Sequence, residues 1–498
     1  MKIYKFLLLT ILSFGLFTSC SDDDSPGPKS TDLPGEEPNS SVQLEVKDFV
    51  WKAMNNIYVY KSDVPVLGDS YFSTQNELND YLEDWDSPED LFYEGLRSDQ
   101  DRFSWVVDDY EILESQLQAT NKSAGFKYDW ARVPNSDTRL VAFVVYVSPN
   151  GPADQAGLKR GDYITEVNGQ TITIDNYRNG IFNPDILNLG LSVIEEGQAV
   201  SSGDPISITK NVFKEETIPV KKVFTQDGVK IGYILLSTFL GERGVDDARL
   251  NDVFGEFKSE NIEELIVDVR YNQGGWSDFS SDLGSMVTGQ FENKIFTKQQ
   301  WNDTYQTYFE EENPERLVSR FDSKVINGDE INSLNLNKVY VIATGRSYSA
   351  SESFIIGLEP YIDVIHIGTA TGGKFQGSVT MYDGDNFGKT NINTNHKYAI
   401  QPLVYKYANA NGYTDFVNGL EPDVIIEEYP STLGQLGDLD EPLLSEAISQ
   451  ITGVRSQIPE EINRWESGNL KVESEKGYFI DSPEPFKGLS RKKSIFIK

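Results

Sequence analysis

Between residues 217 and 440, short aliphatic runs alternate with helix-forming stretches. Lys230-Ile231-Gly232-Tyr233-Ile234-Leu235-Leu236, Glu264-Leu265-Ile266-Val267-Asp268-Val269 and Val339-Tyr340-Val341-Ile342-Ala343 read as strands, the latter two buried, and Ala248 to Phe257 reads as a helix. Strand and helix in alternation predict an α/β layer, whose functional groups collect at the carboxyl ends of the strands. Two glycine- and serine-rich segments follow such ends directly: Arg270-Tyr271-Asn272-Gln273-Gly274-Gly275, and Thr344-Gly345-Arg346-Ser347-Tyr348-Ser349-Ala350-Ser351-Glu352.

A chain of 498 residues is too long for a single core, so two or three domains are expected. Met1 to Lys5 is basic and Phe6 to Phe17 is apolar, ending at Thr18-Ser19-Cys20, the pattern of a secretion signal over 1–20. The run is shorter than the roughly 20 residues of a spanning helix, so no transmembrane helix is expected in the mature protein. Cys20, the only cysteine, stands where small residues close the signal, which resembles a bacterial lipobox, although Phe17 rather than leucine lies three residues before it. A lipid anchor at Cys20 in the cell envelope is the expectation, facing the periplasm or the cell surface. Residues 21–41 are rich in Pro, Gly, Ser and acid and read as a tether.

Residues 42–118 predict a small helical domain: Val46, Phe49, Val50, Ala53 and Ile57 share one helical face, and Ser87-Pro88-Glu89-Asp90 is a helix start. No chemistry is assigned to that domain. Residues 119–216 are β-rich, residues 217–455 form the α/β core, and the polar tail 456–498 reads as surface or partly disordered. The whole is of the α+β multidomain class. A net charge of −34 repels nucleic-acid phosphates over most of the surface, so nucleic acid is not an expected partner.

The segment Ser148-Pro149-Asn150-Gly151-Pro152-Ala153 through Asp162-Tyr163-Ile164-Thr165-Glu166-Val167-Asn168-Gly169 resembles a PDZ domain. Upstream, Ser123-Ala124-Gly125-Phe126 is similar to the loop with which such domains hold a peptide's terminal carboxylate, which implies peptide-binding roles for Gly125 and Phe126. Residues from about 176 to 204 match no PDZ element and read as an insertion.

Ser349-Ala350-Ser351-Glu352 resembles the nucleophile motif of the C-terminal-processing (tail-specific) serine proteases, peptidase family S41, whose core is crotonase-like (ββα). In that family the catalytic lysine lies 25 residues downstream in a Gly-Lys loop, and Lys374 stands there, in Thr371-Gly372-Gly373-Lys374. The resemblance implies Ser349 as nucleophile and Lys374 as base. It also implies an oxyanion hole from Gly274 or Gly275, in the segment Asp268-Val269-Arg270-Tyr271-Asn272-Gln273-Gly274-Gly275, with Ala350. Asn418-Gly419-Leu420-Glu421-Pro422-Asp423 is a further point of similarity. The family's glutamine four residues after the lysine is replaced by Ser378, with Gln376 two residues after it; either is a candidate support for the base.

The chemistry is coherent without the family. A serine hydroxyl needs a base, and a lysine serves only when neutral. Lowering its pKa from about 10.4 to 7 or 8 takes about 3–5 kcal/mol, which burial supplies. Lys374 should therefore be buried, away from carboxylate partners. Ser349 to Glu352 is also a plain capping box, so Glu352 is expected as a cap or supporting group. The two histidines, His366 and His396, lie in no catalytic motif, and His366 reads as a core residue. No metal or cofactor is expected. The main alternative is a catalytically inactive, PDZ-containing envelope lipoprotein that grips peptides; a sugar-binding lipoprotein is a third reading, with no residue constellation behind it.

Overall fold

The computed structural model describes residues 40–454 and 478–480; Cys20 with its signal, nearly all of the 21–41 segment and most of the tail lie outside the described residues. The amino-terminal region is helical as expected. Its first helix, Ser40–Ile57, buries the predicted face of Val46, Phe49, Val50, Ala53 and Ile57. The Ser87 side chain accepts the Asp90 N–H at 3.0 Å, which caps the turn predicted there. This region has no core of its own, however. Its buried residues run without a break into those of the α/β core, and the strand Trp105–Val107 pairs antiparallel with Ala399–Gln401. So short a segment buries too little surface to stand alone, and it finds its missing partner in the core.

The β-rich region is a sheet in the order Phe126–Arg132, Leu140–Val147, Tyr163–Val167, Ile186–Glu195, Gln198–Ser201. Leu140, Ala142 and Val144 point into this domain's own core, while Val141, Phe143 and Val145 pack against Tyr271 and Leu433 of the α/β core. That double burial explains why 140–147 is apolar throughout rather than alternating. The stretch from 176 to 204, read as an insertion, joins the same sheet: Ile186–Glu195 is an inner strand paired with Tyr163–Val167 on one side and with Gln198–Ser201 on the other. Its exposed alternate positions, such as Ile186 and Val193, hid the strand pattern.

The core holds two six-stranded sheets. The first runs Val220–Gln226, Val229–Leu235, Glu264–Asp268, Lys338–Ala343, Asp363–Gly368, Val424–Ile425, parallel from the second strand onward. The second runs Gly274–Trp276, Tyr478–Ile480, Gln376–Ser378, Leu403–Asn409, Ile295–Trp301, Val318–Arg320. The helix Ala350–Leu358 lies between them, buried at every residue and in contact with strands of both sheets. Within the tail, Tyr478–Ile480 is an inner strand of the second sheet; the rest of 456–498 lies outside the described residues.

Candidate active site

Ser349 follows the strand Lys338–Ala343 through a turn pinned to the neighbouring strand end. Ser347 Oγ donates to Val269 O at 2.7 Å, and Asn272 O accepts both Tyr348 N–H at 3.1 Å and Ser351 Oγ–H at 2.9 Å. These bonds hold Ser349 at φ 59°, ψ −105°, a backbone conformation costing a non-glycine residue on the order of 1–3 kcal/mol. Ser349 is completely buried, and its hydroxyl has no hydrogen-bond partner among the described residues.

Lys374 sits on the loop after Gly372-Gly373. Gly373 has φ 79°, and a Cβ there would lie 2.5 Å from Val417 O, so only glycine fits. The loop is braced by the segment 418–423: Leu420 N–H donates to Thr371 Oγ1 at 2.7 Å. The lysine side chain is completely buried. Its Nζ lies 5.3 Å from the ring centre of Phe103 and 6.0 Å from that of Trp105. Burial lowers its pKa to about 7, against the upward pull of Asp101 and Glu352.

One carboxylate and one phenol tie the two residues together. Glu352 Oε2 accepts the N–H of Ser349 at 2.6 Å and that of Lys374 at 2.9 Å, while its Oε1 accepts Thr371 Oγ1–H at 2.5 Å and Gly373 N–H at 2.7 Å. The Tyr407 hydroxyl is shared between Ser349 O at 2.9 Å and Lys374 O at 2.7 Å. Glu352 is thus both a helix cap and the buckle of the site. Burial pushes its carboxyl up to about 7 in spite of the four donors. Tyr407 escaped the sequence reading because an aromatic residue in an apolar strand reads as core.

Of the two oxyanion candidates in the glycine strand, Gly274 spends its N–H on Asn272 Oδ1 at 2.9 Å. Gly275 adopts φ 151°, and a Cβ there would come within 2.1 Å of the Phe239 carbonyl carbon. Ala350 supplies the first amide of its helix, a position with no intrahelical acceptor. Gln376 Nε2 donates to Tyr60 Oη at 2.5 Å, and Ser378 Oγ accepts from Gln401 Nε2 at 3.2 Å. His366 is buried, with Nε2 3.2 Å from Ala343 O.

Reading the sequence left the amino-terminal region without a role at the site, whereas Phe103 and Trp105 come from it. So does Arg102, whose Nη2 donates to Gly373 O at 2.7 Å. No motif marks these residues, and only the packing of Trp105–Val107 onto the core brings them in. The proposed carboxylate loop keeps its turn: Gly125 has φ 77° and donates its N–H to Ser123 Oγ at 3.0 Å. Phe126 packs tilted against Tyr128 and edge-on against Phe182 at the start of the sheet's outermost strand.

Three family profiles match the chain: Peptidase S41 N-terminal domain at residues 45–105, PDZ domain at 143–179 and Peptidase family S41 at 230–426. Among similar sequences is the carboxy-terminal processing protease CtpB of Bacillus subtilis, 27% identical over 304 residues, covering 57% of this chain and 53% of that protein. Another is the carboxy-terminal-processing protease of Bartonella bacilliformis, 26% identical over 310 residues, covering 58% and 61% respectively. The chain thus spans little more than half the length of the relatives it matches. A solved Bacteroides fragilis structure, described as a candidate S41 protease, superposes with a TM-score of 0.64 at 22% identity, covering 85% of this chain and 100% of that one, a likeness of fold.

Proposed function

The chain belongs to peptidase family S41, with that family's amino-terminal domain and a PDZ domain, and on this premise we propose that it is a serine endopeptidase of the carboxy-terminal-processing type. The observation that carries this reading is the shared anchoring of Ser349 and Lys374 by Glu352 and Tyr407, around a lysine that burial brings to about pH 7.

In the proposed reaction neutral Lys374 takes the hydroxyl proton of Ser349, and Oγ attacks the scissile carbonyl carbon. The oxyanion receives hydrogen bonds from the amides of Gly275 and Ala350. Collapse expels the amine, which leaves with the proton returned by Lys374, and water then hydrolyses the acyl-enzyme. The place of Phe126–Arg132 at the end of its sheet supports capture of an extended peptide by strand addition. A lipid anchor at Cys20 in the cell envelope is part of the same proposal, as is a polypeptide substrate.

Peptide cleavage by wild type, Ser349→Ala and Lys374→Ala, compared at matched thermal stability, tests the assignment. Both variants should lose at least about 1,000-fold in kcat. Near-normal turnover by a folded Lys374→Ala variant would remove the base from the mechanism.

A further inference from the structure

The second sheet of the core is continuous only because a distant piece of the chain completes it. Tyr478–Ile480 pairs in parallel with the glycine strand, in the register Gly274↔Tyr478, Gly275↔Phe479, Trp276↔Ile480. Its other edge pairs in parallel with the strand that begins two residues after Lys374, through Ser378↔Ile480. Paired strands lie about 4.8 Å apart, so the two flanking strands stand roughly 10 Å from each other, the width of one extended chain.

The neighbours of that slot are the groups assigned above to the reaction. One wall carries Gly275, the oxyanion candidate; the other leads out of the Lys374 loop; the Ser349 helix packs against the glycine strand. An extended peptide between these walls would be held by main-chain ladders on both sides, which tolerate varied side chains. Tyr-Phe-Ile is a run of strong strand formers, suited to such a slot.

Resting on the endopeptidase reading, we propose that Tyr478–Ile480 occupies the track a substrate peptide takes past Ser349 and Lys374, so that the chain's own carboxyl-terminal segment is an internal competitor that must leave before a substrate is cut. A segment carried on the same chain competes at a local concentration on the order of millimolar, enough to mask a track of ordinary peptide affinity.

The test measures binding, so it stands apart from the dyad. In full-length Ser349→Ala protein, the substitutions Phe479→Pro and Ile480→Pro remove two amides from the ladders. The probe is a fluorescent peptide of residues 473–485, amidated at its carboxyl end so that a carboxylate clamp cannot hold it. Its affinity should rise at least about tenfold in the proline variant. Equal affinity in the two proteins, with circular dichroism showing both folded, would overturn the proposal. Should the proline variant fail to fold, the same peptide is added to the wild-type enzyme cutting an unrelated peptide. A rise in KM with kcat unchanged supports the proposal, and no inhibition at about 1 mM overturns it. Loss of the dyad would abolish cleavage but leave the binding difference intact.

Discussion

The core completely buries the basic side chains of Arg270 and Lys374 and treats them in opposite ways. Arg270 is wrapped by carboxylates: Nη2 lies 2.8 Å from Asp268 and 2.9 Å from Glu441, and Nη1 lies 2.6 Å from Glu441 and 3.1 Å from Glu428. Arg160 of the PDZ domain joins the same cluster through Glu428 at 2.6 Å and donates to the Tyr271 hydroxyl. Burial pushes the Glu428 carboxyl up, but Arg160 and Arg270 outweigh it and bring it down to about 2. Around Lys374 the same burial is met by two aromatic rings, and there burial prevails. Burial alone therefore does not decide whether a side chain is charged. The charges facing it do as well: carboxylates outweigh burial at Arg270, which joins the domains, whereas burial outweighs the pull of Asp101 and Glu352 at Lys374.

The largest effect that would break this contrast is on stability. Lys374 has a folded pKa near 7 against 10.5 for the ordinary side chain, so between these values the unfolded chain holds a proton that the folded one lacks. Stability contributed at this position then rises with pH from about 7 to 10.5, and the penalty is fully present below 7. Lys374→Met should therefore be more stable than wild type by up to about 4–5 kcal/mol at pH 6, with the advantage vanishing above pH 10.5 in urea titrations. An advantage that does not vary with pH would contradict a neutral lysine.

Arg270→Met should do the reverse, costing about 3–5 kcal/mol at neutral pH, because three carboxylates lose their common partner. Gly275→Ala comes next: its Cβ meets the Phe239 backbone, so a loss of about 2–4 kcal/mol in oxyanion stabilisation is expected as a fall in kcat, even where the protein folds.

The smallest effects sharpen the comparison from the amino-terminal side. Asp101 accepts Phe103 N–H and Ser104 N–H, each at 2.8 Å, and its charge raises the Lys374 pKa. Asp101→Asn should move the acid limb of the kcat/KM profile to lower pH by about one unit or less, and Trp105→Ala, which admits water, should move it to higher pH. Shifts in the same direction would show that these residues only hold the fold.

Much of this was legible in the chain. The strands at 230–236, 264–269 and 339–343 were found within a residue or two, because a strand buried on both faces is written as an unbroken aliphatic run. Ser349 and Lys374 stand out in the sequence because each lies on a short loop after a strand, in a local motif. Glu352 was half legible: its spacing announces a cap, whereas its grip on Lys374 does not follow from spacing. The inner strand Ile186–Glu195 was missed because one of its faces is partly wet.

The sequence by itself determined the order of the domains, the α/β core and the two local motifs that hold Ser349 and Lys374, since each is encoded in residues near one another along the chain. Tertiary structure alone decided what surrounds Ser349 and Lys374: Phe103 and Trp105 from far upstream and Tyr407 from a neighbouring strand, while the Tyr478–Ile480 strand from the tail joins the sheet beside them. Desolvation and strand pairing are properties of what is brought close in space, and a residue's spacing in the chain carries no record of them.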